Sequence, residues 1–223
     1  MKFSVEALFI SQQVQPHDGW LIQLKLHDYM PLTVGSRLVW QFNQAWLFNQ
    51  QNVNITLLSD QRWQDLVPNQ SFRLELRQTE VTFNPQPHQL WLGHNLSQAA
   101  VFDAAKRWQN SPRPKGQFMA LLSADEGFVF QPKPARFMLN FAPQAIAASA
   151  LLEDFGVPNR LATPIGSPGC WEGDISELYQ AWLEVNHHQA WSIYGWLTRQ
   201  QQQACLELTQ TYNTINFQLL PLP

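Results

Sequence analysis

The residues best suited to chemistry fall in two glycine-marked stretches. The first is Gly93-His94-Asn95-Leu96-Ser97, which ends the apolar run 88–93 and opens the helical pattern 97–108. A parallel sheet places ligands at such a strand end, because the N–H groups and dipole of the following helix face a bound anion. His94 and Asn95 could donate to a phosphate or an adenosine there. Ser97 is equally accounted for as a helix N-cap, with no ligand at all.

The second stretch spans residues 166–196. Cys170 follows Pro168-Gly169 and precedes Trp171, ahead of a helix start whose dipole would lower a thiol pKa. A structural thiol is the competing reading, since no partner base stands beside it in sequence. Gly166, Gly169 and Gly173 read as a loop that needs positive φ angles. Asp174 with Glu177 three residues later could be a carboxylate pair, but a capping box accounts for both. His187-His188 has the wrong spacing for two ligands on one helical face and reads as a solvated pair. Tyr194-Gly195 closes a short apolar strand, 191–195.

The elements that must position these residues come in two kinds. From residue 3 to about 77 the apolar period is two, with strands expected at 3–10, 20–26, 37–42, 46–48, 53–58 and 72–76. Turn signals separate them, among them Pro16-His17-Asp18-Gly19 and Val67-Pro68-Asn69-Gln70. Six short strands with almost no helical pattern predict a small antiparallel barrel or sandwich.

Near residue 88 the period switches. Strands are expected at 88–93, 117–122, 160–163, 191–195 and 215–220, with helices at 97–108, 142–155, 175–185 and 198–211, and two further extended pieces between 127 and 139. Alternating strands and helices predict a doubly wound parallel sheet. The expected organisation is a β-barrel over 1–87 and an α/β domain over 88–223, the boundary falling at Pro85-Gln86-Pro87.

Composition narrows the function. The chain has 223 residues, 45% hydrophobic and 14% charged, enough to bury a large core. A formal charge of -3 and a pI near 6.0 give no basis for nucleic-acid binding. No run approaches the roughly 20 apolar residues of a membrane helix, and Glu6 interrupts the N-terminal apolar run, so no membrane insertion and a cytoplasmic location are expected. Two cysteines 35 positions apart make neither a disulfide framework nor a metal knuckle.

A barrel followed by a parallel sheet is the plan of the ferredoxin reductase family. Residues 167–183, SPGCWEGDISELYQAWL, resemble the late glycine turn and helix in the electron-transfer subunits of dihydroorotate dehydrogenase and in related flavin reductases. The resemblance covers most of the chain as topology, and residues 166–212 in sequence. It implies an oxidoreductase or electron-transfer module that holds FAD or FMN, NAD(P)H, or both between barrel and sheet, with the cofactors carrying the hydride chemistry. Gly93, His94, Asn95, Ser97, Gly169, Cys170, Tyr194 and Gly195 are the cofactor-binding positions it implies, and a protein electron-transfer or docking partner is implied as well.

The family's motifs are mostly absent. No Arg-x-Tyr-Ser/Thr segment for the flavin occurs in the barrel, Gly93 is the only glycine left of the dinucleotide turn, and Tyr194-Gly195-Trp196 stands in place of Cys-Gly-Pro. The four-cysteine cluster of the electron-transfer subunits is also missing, so no iron–sulfur cluster is expected. A second reading is therefore a non-catalytic descendant of the fold, a protein-binding subunit using Trp40, Trp46, Trp63 and Trp171 as aromatic contacts. A third, a tryptophan-rich carbohydrate-binding β-domain over 1–85, competes with a plain core role for the aromatics.

Overall fold

The structure is a computed structural model that describes residues 2–78, 87–112 and 116–219. The first lobe is a closed barrel of six antiparallel strands in the order β1-β2-β5-β4-β3-β6. These are β1 (Lys2–Val14), β2 (Trp20–Leu26), β3 (Arg37–Trp40), β4 (Asn43–Gln51), β5 (Asn54–Ser59) and β6 (Ser71–Arg77). The period of two puts Ile22, Leu24, Leu26, Leu38, Ala45, Leu47, Ile55, Leu57, Leu74 and Leu76 into the barrel interior. Closure leaves no unpaired sheet edge.

The second lobe is a six-stranded sheet in the order β12-β11-β8-β7-β13-β14, every pair parallel. Its strands are β7 (Gln89–His94), β8 (Phe118–Ser123), β11 (Asn159–Thr163), β12 (Trp171–Glu172), β13 (Trp191–Trp196) and β14 (Ile215–Leu219). A two-residue pair, β9 (Lys133–Pro134) with β10 (Ala147–Ala148), lies in the long connection between β8 and β11. The helices are α1 (Gln98–Asn110), α2 (Ala150–Asp154), α3 (Ile175–Asn186) and α4 (Arg199–Thr209). Both faces of the sheet are covered, so alternation divides its buried residues between two cores. Trp91, Tyr194 and Trp196 face α1 and the barrel, while Leu90, Leu92 and Ile193 face α3 and α4.

Two expectations need correction. The alanine-rich segment 142–155 is helical only over Ala150–Asp154. Ala142 lies in the left-handed region at φ 45, Ala147 and Ala148 are drawn into the pairing with β9, and the Ser149 N–H donates to Asn159 Oδ1. Backbone groups already spent on tertiary partners cannot enter a helix until residue 150. Of the two extended pieces expected in 127–139, 128–130 and 135–139, neither forms a strand; the short strand β9 falls on Lys133–Pro134 between them, and the connection is held by side chains instead. Arg136 Nε donates to the buried Glu153 carboxylate at 3.0 Å, and Arg160 to the Phe137 carbonyl at 2.8 Å. Of the expected domain boundary, Pro85 and Gln86 lie outside the described residues, as does Leu220 of the expected last strand.

Candidate functional site

Strand order reverses beside β7: β8 lies on one flank and the late strand β13 on the other. In doubly wound sheets ligands bind in the crevice at the carboxyl ends of the strands flanking such a point. Here those ends are His94 and Trp196, with Gly93 paired to Trp196, Leu92 to Gly195 and Trp91 to Tyr194. A Cβ on Gly93 would lie 2.8 Å from Val101 Cγ2 and 3.0 Å from the Gln98 Cα. Gly93 therefore lets α1 approach the sheet. Ser97 Oγ accepts the His94 N–H at 3.0 Å and sits 2.7 Å from both the His94 and Trp196 carbonyl oxygens. One buried hydroxyl thus stitches the ends of β7 and β13 together across the crevice.

His94, 7% exposed, is the hub of the polar contacts there. Its Nδ1 lies 2.9 Å from Ser123 Oγ and 3.2 Å from Gln201 Nε2, and its Nε2 lies 3.2 Å from Asp125 Oδ2. The Gln201 amide is fixed at both ends: Nε2 donates to Asp174 Oδ2 at 2.9 Å, and Oε1 accepts the Thr198 N–H at 3.0 Å. Its second N–H then points at His94 Nδ1, while His94 Nε2 lies between Asn95 Nδ2 at 3.0 Å and Asp125 Oδ2 at 3.2 Å. Asn95 completes the arrangement, donating to Asp125 Oδ2 at 2.9 Å and accepting the Asp125 N–H at 3.0 Å.

Carboxylate, imidazole and hydroxyl in a row have the composition of a nucleophilic triad. The polarity of access is reversed here. Ser123 is 3% exposed, whereas the Asp125 side chain is 60% exposed. A substrate would reach the carboxylate and never the hydroxyl.

That carboxylate opens into a cleft of about 530 Å³ between the lobes. The barrel contributes His17, Gly19, Trp46 and Asp60; the sheet lobe contributes residues 94–98 and the loop Asp125, Glu126, Gly127 and Val129. The lobes close on each other through small residues. A Cβ on Gly127, at φ +120, would collide with the His17 imidazole, and one on Gly19 would lie 2.7 Å from Val129 Cγ1. Among the described residues, three carboxylates line the cleft and no lysine or arginine does.

Beside the cleft, protein side chains fill the junction between barrel and sheet. Trp196 is fully buried with its indole over Gly35, whose φ is +79 and whose Cβ would lie 2.7 Å from Trp196 Cζ2. Trp91 stacks on Trp196 at 5.4 Å and meets Tyr194 at 4.6 Å. From β4, Ala45 and Leu47 point into the barrel, while Trp46 and Phe48 join the interlobe core, Phe48 5.0 Å from Phe102 of α1. Trp46 lies beneath the Arg37 guanidinium at 5.3 Å. Burial lowers Arg37 to about 10, and its Nε and Nη1 have no partner.

The residues present do not fit a flavin or a nicotinamide dinucleotide. The crevice is stitched by Ser97, the interlobe face of β4 is packed with aromatic rings, and a pyrophosphate in the open cleft would meet Asp60, Asp125 and Glu126.

Of the positions singled out in sequence, Gly93, His94, Asn95, Ser97, Tyr194 and Gly195 come together around β7 and β13. Gly169 and Cys170 do not. They adjoin β12, three strands from β7, or about 14 Å across the sheet. Gly166, Gly169 and Gly173 have positive φ as expected. Asp174 and Glu177 form the capping box of α3. Burial pushes the Cys170 thiol up to about 11, away from reactivity, and raises Cys205 as well. The two thiols belong to cores on opposite faces of the sheet. Among the described residues, no group of three or more His, Cys, Asp or Glu side chains is placed to hold a metal ion, and no helix is long and apolar enough to cross a membrane.

Sequence reasoning missed Ser123, Asp125, Glu126, Gln201 and the barrel residues His17 and Asp60. The stretch Ser123-Ala124-Asp125-Glu126-Gly127 carried a usable signal, since it follows an apolar strand at the same kind of carboxyl end as residues 93–97. Nothing local marks His17, Asp60 or Gln201.

A closed antiparallel barrel followed by a doubly wound parallel sheet is the ferredoxin reductase-like fold, and solved structures bear this out. The chain superposes on a cytochrome P450 reductase of Amycolatopsis with a TM-score of 0.68 at 12% identity, covering 97% of this chain and 69% of that one. A Malassezia yamatoensis flavohemoglobin with bound FAD and heme matches with a TM-score of 0.67 at 8% identity, over 98% of this chain and 60% of the other. A ferredoxin NADP+ reductase of Neisseria gonorrhoeae with bound FAD and NADP matches with a TM-score of 0.63 at 10% identity, over 97% and 98%. No family model matches the sequence, and neither does any curated protein.

Proposed function

We propose that this chain is a non-catalytic descendant of the ferredoxin reductase fold, a binding module that works through its interlobe cleft and carries no flavin. The observation that carries this reading is the Trp196 indole seated on Gly35, with Ser97 bridging the His94 N–H and the Trp196 carbonyl beside it. Together they close the junction of β7 and β13 beside the cleft, at the strand ends where this class of sheet holds its ligand. The Trp40, Trp46, Trp63 and Trp171 surface does not support the docking part of the reading: Trp46 and Trp63 are buried, and Trp40 and Trp171 are half-buried. In this reading the interlobe cleft makes the contact with a ligand or a protein.

A second reading, an NAD(P)H or flavin oxidoreductase, is favoured by one observation. The cleft has the volume of a small-molecule site and lies at the strand ends, and some proteins of similar fold are described with bound FAD and NADP. The visible spectrum separates the two. The purified chain is expected to be colourless, to leave the FAD and FMN spectra unchanged and to keep its Tm when NADH or NADPH is added. Flavin absorbance that survives gel filtration, or NADPH-dependent reduction of ferricyanide, would establish the oxidoreductase instead.

A further inference from the structure

We infer that the interlobe cleft recognises an organic cation, a protonated amine or guanidinium carried on a short apolar body. The inference rests on the cofactor-free reading above and deepens it by naming the ligand class.

The polar groups of the cleft sort by role. Three of its side-chain donors are spent within the protein: Asn95 Nδ2 on Asp125, the Ser97 hydroxyl on the His94 and Trp196 carbonyls, and Gln98 Nε2 on the Ser123 carbonyl at 2.7 Å. The acceptors are not spent in the same way. Asp60 and Glu126 face the cleft as exposed carboxylates. Asp125 is held in place through one oxygen, Oδ2, by Asn95 and His94.

Gln98 gives an independent indication. It lines the cleft, is 1% exposed, and its Oε1 has no hydrogen-bond partner. The amide cannot be reversed, because Nε2 is committed to a carbonyl. A buried acceptor without a donor costs free energy that a ligand N–H would recover. An unpaired amide oxygen and three carboxylates, with no lysine or arginine among the described residues of the walls, call for a ligand that brings donors and positive charge. Trp46, Leu96 and Val129 supply apolar wall for its body.

The test uses the whole chain, first shown by its absorbance to be flavin-free. Calorimetric titration with agmatine, whose amine and guanidinium are joined by four methylenes, should show saturable one-site binding that weakens as salt rises. Asp60→Asn and Glu126→Gln, both at exposed positions, should each weaken it about two- to fivefold, the range of a single exposed ion pair. Gln98→Met should weaken it without changing the salt dependence. A Gly-Gly-Arg-Gly-Gly peptide forms the second arm. Tighter binding of agmatine assigns a free small molecule as the source of the cation, and tighter binding of the peptide assigns an arginine of a polypeptide. No heat from either probe, or affinities that ignore both charge-neutralising variants, would overturn the inference while leaving the cofactor-free reading intact. Binding of FAD or NADH that agmatine does not displace would overturn both.

Discussion

Replacing Trp196 by alanine tests the claim that the junction between barrel and sheet is held by a side chain. The indole is fully buried, lies against the Gly35 backbone and stacks on Trp91 at 5.4 Å. Removing a tryptophan of this kind uncovers roughly 150–250 Å² of buried contact, about 4–6 kcal/mol at the usual area coefficient. Measured truncations of this size cost about 3–5 kcal/mol because the surroundings relax only partly. Trp196 Nε1 has no hydrogen-bond partner, so no hydrogen bond is lost and the cost is packing alone. About 4 kcal/mol in a chain of 223 residues corresponds to a fall in Tm of about 8–16 °C. Trp196→Phe keeps a ring and removes an unsatisfied donor, so it should cost less than half as much. Urea unfolding followed by circular dichroism measures both, and millimolar indole should restore part of the alanine variant's Tm by filling the cavity. A loss below 1 kcal/mol for Trp196→Ala, or an equal loss for Trp196→Phe, would refute the packing argument.

Four further outcomes follow from the same contacts. Gly35→Ala forces a left-handed φ on a residue with a side chain and drives its Cβ to 2.7 Å from the Trp196 ring, so it should destabilise by about 1–3 kcal/mol in the same urea assay. Burial holds the Asp103 carboxyl at about 6 against an ordinary 3.8, only partly offset by Arg107. The native state therefore binds the extra proton between about pH 4 and 6, and Asp103's contribution to stability is lost as pH rises through that window. The difference between wild type and Asp103→Asn should change by at most about 3 kcal/mol across it. Asp174→Ala removes the cap of α3 and the Gln201 contact, and should cost about 1–2 kcal/mol by thermal unfolding. Cys170 and Cys205, buried with raised thiol pKa values, should resist iodoacetamide at pH 8 in the native protein and alkylate in urea, as read by intact mass.

Local patterns were legible where local interactions decide the outcome. The Asp174/Glu177 capping box, the positive φ of Gly166, Gly169 and Gly173, and the period-two barrel strands all depend on neighbours within a few residues. The segment 142–155 departs from its local pattern for the opposite reason. Its alanines favour a helix, but Ala147 pairs with Pro134 and donates its N–H to Gly169, 22 positions away. The tryptophans were ambiguous in sequence because an indole fills a core or a surface pocket equally well. Only the alternation of buried strands across two cores shows that Trp91 and Trp196 face the barrel while Trp191 faces α3.

The strand-end rule located the site but could not specify its chemistry, and the two depend on different residues. Topology alone puts residues 93–97 at the reversal of strand order, so their position is readable from the alternation of strands and helices. The charge of the cleft is set by Asp60 on the barrel and by Asp125 and Glu126 after β8, which no spacing links to residues 93–97. The commitment of its Ser97 and Gln98 donors depends on Ser97 reaching the Trp196 carbonyl 99 residues away and on Gln98 reaching Ser123. A dinucleotide site requires an open turn with unspent N–H groups and a neutral or positive wall. At the same place in the same kind of sheet, this chain has a stitched turn and an acidic wall, and a site of that sign selects cations.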